Sequence, residues 1–270
     1  EITGGEAGPG IAASGRIAKQ IYAALDEEEI KALVVRVDSP GGSVFGSEEI
    51  RLAVAEAKKK KLPVVISMGD VAASGGYWVA AAGDHILAEP DTITGSIGIF
   101  AVLPSFEKAL GKWGVTADGV QTTPLSGEPD FVGGFSEDLN SVLQAGVEDG
   151  YQDFLNLVSK ARGKTTAEVD TIGQGRVWDG GSARQLGLVD GFGGMPEALA
   201  EAAKRAGLKD GAYYPHYLEA PSGFGIFALY GLPFVETSPL TGPSLFGWIA
   251  RATTAGLGEA PATPGGRRSR

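Results

Sequence analysis

Leu62-Pro63-Val64-Val65-Ile66-Ser67-Met68-Gly69-Asp70-Val71-Ala72-Ala73-Ser74-Gly75-Gly76-Tyr77-Trp78 is the stretch that decides the architecture of this chain. Leu62 to Met68 is a short, apolar, β-branched run with a proline near its start, which reads as a buried strand, and Tyr77 to Ala82 can wind as a helix. Ser74 therefore falls at a strand-to-helix turn. Ala72, Ala73, Gly75 and Gly76 leave room around it for a substrate backbone, and the first N–H groups of the helix, which have no intrahelical acceptor, are placed to face a developing oxyanion. That geometry suits acyl transfer with Ser74 as nucleophile. The same small residues also suit a helix start packed tightly on a sheet, and this stretch alone leaves both readings open.

A second corner of the same kind lies upstream. Ala32 to Val37 reads as a strand, Asp38-Ser39-Pro40-Gly41-Gly42-Ser43 as a turn, and Ser47 to Lys60 as an amphipathic helix with Ile50, Leu52, Val54 and Ala57 on its apolar side. A Gly-Gly pair after proline reaches dihedrals closed to other residues and lets N–H groups point into a cleft. Downstream, the spacing predicts strands at Ile86–Ala88, at Ile97–Val102 after the turn Thr94-Gly95-Ser96, and at Val115–Gln121, with a helix at Phe106–Trp113 between the last two. Alternating strands and helices imply an α/β fold with crossover units. In such a fold the two corners lie side by side at the carboxyl end of the sheet, giving a nucleophile and paired oxyanion donors. A phosphate loop is the obvious rival, but no Gly-Lys-Ser/Thr follows, and Gly41-Gly42 alone is weak evidence for nucleotides.

Composition narrows the chemistry. The formal charge of −10 opposes a nucleic-acid surface, and the basic runs Lys58–Lys61 and Arg267–Arg270 read as a solvated helix end and a frayed terminus. The absence of cysteine removes disulfides, thiolate catalysis and cysteine-ligated metal. His85 and His216 are the only histidines, which excludes a His-rich metal site and leaves few ways to build a Ser-His-Asp triad. His85 suits a sheet edge or turn, and His216 lies in a Tyr-rich peripheral segment. No uninterrupted apolar run reaches the about 18 residues of a membrane span. No cofactor is expected.

Beyond residue 130 the pattern turns helical. Glu137–Ala161 places Leu139, Val142, Leu143, Val147, Tyr151, Phe154, Leu155 and Val158 at helical spacing, Thr165 or Thr166 can cap the next helix, and Gly180–Leu186 and Met195–Ala206 supply two more. Ser222–Phe234 and Ser244–Ala252 carry apolar clusters broken by Gly and Pro. Their low cationic content favours an arm packing on a neighbour over a membrane contact. A disordered tail is expected from Gly256 to Arg270. The chain opens at Glu1 without Met, so it is expected to be a piece of something longer.

Four motifs, taken in order, resemble those of the signal peptide peptidase A (protease IV) family. They are Val37-Asp38-Ser39-Pro40-Gly41-Gly42-Ser43-Val44, Ala72-Ala73-Ser74-Gly75-Gly76-Tyr77-Trp78, Thr94-Gly95-Ser96-Ile97-Gly98-Ile99-Phe100 and Gly175-Arg176-Val177-Trp178-Asp179-Gly180. The resemblance implies a Clp protease/crotonase-like fold of repeated ββα units with a helical C-terminal extension. It also implies a serine peptidase with a Ser-Lys dyad, acting on signal-peptide remnants and other small hydrophobic peptides at the periplasmic face of the inner membrane, as a membrane-anchored homo-oligomer. Mapped onto this chain, it implies Ser74 as nucleophile, Gly75 and Gly42 as oxyanion donors and Gly41 as part of the oxyanion loop. The implied organisation is an N-terminal segment over 1–14, the peptidase domain over 15–207, a C-terminal arm making oligomer or membrane-proximal contacts over 208–255, and the tail over 256–270.

The base is the departure from that pattern. Short family members place a lysine about fifty residues after the serine, in a Ser-Gly-x-x-Lys context; here the matching stretch runs Thr122-Thr123-Pro124-Leu125-Ser126-Gly127-Glu128-Pro129-Asp130, without lysine. The second half of long, internally duplicated members has Thr-x-Pro-Leu at this point and takes its lysine from the first half. The resemblance is therefore to the C-terminal half of a long form, whose lysine-bearing N-terminal half and membrane anchor lie outside this chain. Lys108, Lys112, Lys160 and Lys164 read as surface residues. Asp38 and Ser39 read as loop-shaping residues, with a Ser39 hydroxyl near the cleft as a possible aid to the base, and Arg176 as an anchor for a helix or subunit contact. A crotonase-like enzyme acting on coenzyme A thioesters and a non-catalytic scaffold half of the oligomer are the rival readings.

Overall fold

The computed structural model describes residues 1–5, 8, 10–209, 212–218 and 246–252. Its centre is a pair of long parallel strands, β3 (Ile30–Ser39) and β4 (Val64–Ala73), joined by helix α2 (Val44–Lys59). Two short strands precede them, β1 (Ile2–Thr3) and β2 (Ala12–Ala13), followed by helix α1 (Ser14–Leu25). Strand β4 is long enough to pair twice. Val65–Ser67 pairs with β5 (His85–Ala88), and Val71–Ala73 pairs with β6 (Ile93–Gly95), so the sheet forks and curls around the end that carries Ser74. β7 (Val177–Asp179) closes on β6 antiparallel, and β8 (Gly191–Phe192) lies parallel to β5.

Alternation along β3 fills both faces of the sheet, because successive side chains of a strand point to opposite sides. Leu33, Val35 and Val37 join Ile66, Met68 and Tyr77 in the main core, which Ile17 and Ile21 of α1 and Ile50, Val54 and Ala57 of α2 cover. Ala32 and Val34, with Val65 and Leu87, face the other way onto Ala198 and Ala202 of α8 (Met195–Arg205). Between β6 and α8 come α4 (Glu107–Gly111), α5 (Glu137–Arg162), α6 (Thr166–Ile172) and α7 (Gly180–Gln185). Of the two threonines the sequence offers, Thr165 caps α6, in a reciprocal capping box with Glu168.

Two predicted strands are absent. Ile97–Val102 and Val115–Gln121 contain no strand; the pairing falls one turn earlier, at Ile93–Gly95, where β4 and β7 both have edges to offer. Apolar content in this region reflects something other than a sheet, since Phe100, Trp113 and Val120 are 83%, 85% and 100% exposed. The N-terminal half of α5 shares this exposure, and only Phe154, Leu155 and Val158 of the helix are buried. From the stretch expected to form an arm come β9 (Tyr213–Tyr217) and β10 (Phe246–Ala252), and β10 lies antiparallel against β3 and β9. The expected tail over 256–270 and the cluster Ser222–Phe234 lie outside the described residues. Among the described residues, no helix is long and apolar enough to cross a membrane.

Candidate active site

Ser74 is the hinge between β4 and the short helix α3 (Gly75–Ala80), which starts two residues earlier than the sequence suggests. Its backbone sits at φ +50° and ψ −118°, a conformation that L residues rarely adopt and that costs of order 1–3 kcal/mol. Such a sharp, strained turn lifts a side chain clear of the sheet at its carboxyl end, as in the nucleophile elbow of the α/β-hydrolases. The neighbouring strand β6 and the helix itself hold the turn. The Ser74 N–H donates to the Gly95 carbonyl at 2.9 Å, and the Ser74 carbonyl accepts from Trp78 N–H at 2.9 Å. The hydroxyl of this half-buried serine has no hydrogen-bond partner among the described residues.

The first glycine corner packs directly on this turn. A Cβ on Gly41 would stand 2.7 Å from the Gly75 nitrogen and 2.9 Å from Ser74 Cβ, and the Gly41 φ of +109° already reserves the position for glycine. Gly42 N lies about one side-chain atom away from Gly75, 3.3 Å from where a Gly75 Cβ would sit. Gly75 N–H opens α3 and so lacks an intrahelical acceptor, and Gly42 N–H has no acceptor among the described residues. Two unpaired donors thus flank the serine, on adjoining strand-to-helix corners of β3 and β4.

Buried and half-buried side chains fix these corners from beneath. Ser39, 2% exposed, accepts the Gly41 N–H on its hydroxyl at 3.2 Å, which shapes the loop and commits that hydroxyl away from Ser74. Asp38 accepts the Val71 N–H at 3.2 Å, tying the two long strands together just below the turns. Ser47 of α2 reaches under Gly75 while donating to the Ser43 carbonyl at 2.9 Å. Behind α3, Trp78 donates its indole N–H to Glu48 at 2.7 Å and packs on Phe154, with ring centroids 4.7 Å apart. Burial pushes the Glu48 carboxyl up, but the hydrogen bonds from Arg51 and Trp78 outweigh it and hold the group below the usual carboxylate range.

The third and fourth motifs meet on the same edge. Gly95 lies beneath the Trp178 ring, Ser96 donates its N–H to the Arg176 carbonyl at 2.7 Å, and the Arg176 guanidinium binds the Thr171 carbonyl at the end of α6. Arg176 is thereby a helix anchor, one of the two roles expected of it. His85 sits at the start of β5, where the Arg205 guanidinium lies 3.1 Å from its Nδ1, so it belongs to the sheet and not to Ser74.

Every lysine of the chain is among the described residues, and none is buried. Lys108, Lys112 and Lys160 are exposed, and the half-buried Lys164 packs against Gly187. Asp130, the residue where the motif resemblance would lead a lysine to be expected, accepts the Gly133 and Val132 N–H groups at 2.7 and 2.9 Å; these bonds hold its carboxyl below the usual range. It caps a surface turn and is no base.

Residues 56–209, more than half of the chain, match the model of peptidase family S49. The chain belongs to that family. Within it, the chain is 42% identical over 221 residues to Protease 4 of Salmonella typhi, covering 82% of this chain and 35% of that protein. It is 34% identical over 199 residues to a putative signal peptide peptidase SppA of Enterococcus faecium, covering 74% of this chain and 58% of that one. The chain thus spans about a third of the length of the Salmonella relative. Among solved structures it is similar to a point mutant of ClpP1 from Listeria monocytogenes, with a TM-score of 0.47, 12% identity, and coverage of 68% of this chain and 86% of that chain. The structure of this S49 chain has the α/β architecture with parallel crossover strands that its sequence implies.

One contributor to the site has no signal in the sequence. Ile2, in a two-residue strand far from any motif, is fully buried against the Gly41–Ser43 turn. Two residues are too few for periodicity to register.

Proposed function

We propose that this S49 chain is the nucleophile-bearing part of a signal peptide peptidase of the long form, cleaving small hydrophobic peptides through Ser74. In this reading the Ser74 oxygen attacks the peptide carbonyl, and the carbonyl oxygen becomes an oxyanion held by the Gly42 and Gly75 N–H groups. Collapse releases the amine and leaves an acyl-enzyme, which water hydrolyses. The observation that carries it is the pairing of a strained, unpartnered serine with two unpartnered backbone donors on adjoining corners.

The base is a lysine from another part of the protein. A lysine works as a base only when burial or nearby positive charge lowers its pKa, and no lysine of this chain is buried. The Thr-x-Pro-Leu stretch at residues 122–125 and the coverage of Protease 4 support a duplicated protein whose first half supplies that lysine. Exposed Phe100, Val102, Phe106, Trp113 and Val120 support a homo-oligomer, or contact with that first half, through residues 100–120. Anchoring at the inner membrane with the site on the periplasmic face fits a signal-peptide substrate, the anchor lying outside the described residues.

The test is covalent. In the full-length protein a fluorophosphonate should label Ser74, and Ser74→Ala should abolish both labelling and peptide hydrolysis. Hydrolysis that survives Ser74→Ala would overturn the proposal, and labelling at another residue would move the nucleophile.

A further inference from the structure

The Gly41–Gly42 turn does not hold itself. Ile2 donates its N–H to the Gly41 carbonyl at 2.7 Å, and its carbonyl accepts the Ser43 N–H at 2.9 Å, a parallel bridge centred on Gly42. In such a bridge one residue spends both of its main-chain groups on the neighbours of the other, whose own N–H and C=O point away from the partner strand. Ile2 is the residue that spends, and Gly42 is the one left facing outward. On its far side Gly42 has Gly75, and through Gly41 it has Ser74. A side chain on Gly42 would collide with the Ile2 carbonyl at 2.1 Å, so only glycine lets the two backbones meet here.

We propose that Ile2 is a positioning residue for the oxyanion site: its main chain, acting as an added strand, fixes the Gly41–Gly42 peptides so that the Gly42 N–H is presented to Ser74. The inference rests on the peptidase reading for what that N–H does, and on the bridge alone for how it is aimed. The strand is itself braced. Ala12 of β2 donates its N–H to the Glu1 carbonyl at 2.8 Å, and the buried Ile2 side chain packs over Gly46 at the start of α2. An oxyanion donor is useful only if it is aimed before the charge develops, so a loop rich in glycine needs an external splint.

The test uses the full-length protein. Ile2→Pro removes the N–H donated to Gly41 and should lower kcat about 10²-fold, the range for losing one oxyanion donor, with KM changed less than about threefold. Ile2→Val keeps the N–H and should restore kcat. Ile21→Ala, a core truncation in α1, is the control for lost stability and should leave kcat unchanged at temperatures where the protein stays folded. If Ile2→Pro does not fold, Ser43→Pro removes the second bond at a residue whose φ of −58° suits proline, with the same expected fall in kcat. Unchanged kcat in the folded proline variant, or an equal fall in Ile21→Ala, overturns the proposal. If hydrolysis proves independent of Ser74, the peptidase reading fails, and hydrogen exchange judges the splint by itself. A Ser43 amide slow in wild type and fast in Ile2→Pro supports it, and equal exchange in both overturns it.

Discussion

Gly41 presses on Gly75 so closely that a methyl group on it would lie 2.7 Å from the Gly75 nitrogen, the atom that opens α3 beside Ser74. The two glycine corners therefore form one object, and a side chain at Gly41 has to push the Gly75 amide aside. The Gly41 φ of +109° adds strain of about 1–3 kcal/mol for any L residue. Gly41→Ala should lower kcat of the full-length protein on the order of 10²-fold while the far-ultraviolet circular dichroism stays native. Steady-state kinetics check this, and near-wild-type kcat would show that the two corners move independently.

Ser47 is the floor of the same turn. A Cβ on Gly75 would meet its hydroxyl at 2.3 Å, while the next atoms, in Gly41 and Gly42, are 3.3 Å away. Gly75→Ala should therefore be destabilising, and most of the cost should vanish when Ser47→Ala is added. A coupling of about 0.5–3 kcal/mol is expected from the double-mutant cycle, measured by urea denaturation.

Much of this site is legible in the sequence because it is local. Pro40-Gly41-Gly42 and Ser74-Gly75-Gly76 each follow an apolar run and precede a helical one, so the two corners and their adjacency follow from strand and turn chemistry. What stayed hidden is non-local. Ile97–Val102 and Val115–Gln121 look like strands because their apolar residues are dense, yet no strand forms: Ile97 drops into the core while Phe100, Val102, Val115 and Val120 face outward. Hydrophobic density signals that a surface will be covered, not that a sheet of the same chain covers it. Ile2 is invisible for the opposite reason, since its contribution is made by main-chain atoms that every residue has.

The exposed lysines lead to a prediction about the reaction's proton. Full-length protein carrying Met in place of Lys108, Lys112, Lys160 and Lys164 should hydrolyse peptides at nearly the wild-type rate, because these side chains lie on the surface or against Gly187. The 270-residue chain by itself should be slower by about 10²- to 10⁴-fold, the usual contribution of a general base. Loss of turnover in the fourfold variant would place the base among these lysines.

Phe154 links the helical region to the nucleophile turn. It is 1% exposed and lies tilted at 52° against Trp78, whose helix begins at Gly75. Phe154→Ala should cost about 3–5 kcal/mol through the cavity it leaves. Because Trp78 is still held by Glu48 at 2.7 Å, the loss should appear mainly in thermal stability, with kcat reduced far less than in Gly41→Ala. Calorimetry and kinetics on the same preparation check this.

Part of the chain's acid sensitivity should trace to Asp190. Its half-buried carboxylate accepts Arg162 at 2.7 and 3.1 Å and the Ile86 N–H at 2.8 Å, joining α5 to β5. Burial pushes its pKa up, but the Arg162 and Ile86 hydrogen bonds outweigh that and hold it below the ordinary carboxylate value. A carboxylate with a lowered pKa binds protons more readily in the unfolded chain. Its stabilisation is therefore complete above the unfolded value of about 3.9 and fades as pH falls through the folded one. Wild-type stability should thus drop more steeply below about pH 4 than that of Asp190→Asn. At pH 7 the variant should be the less stable, since it leaves the Arg162 guanidinium without its carboxylate partner. Urea midpoints measured between pH 3 and pH 7 test both signs, and parallel curves for the two proteins would remove Asp190 as a source.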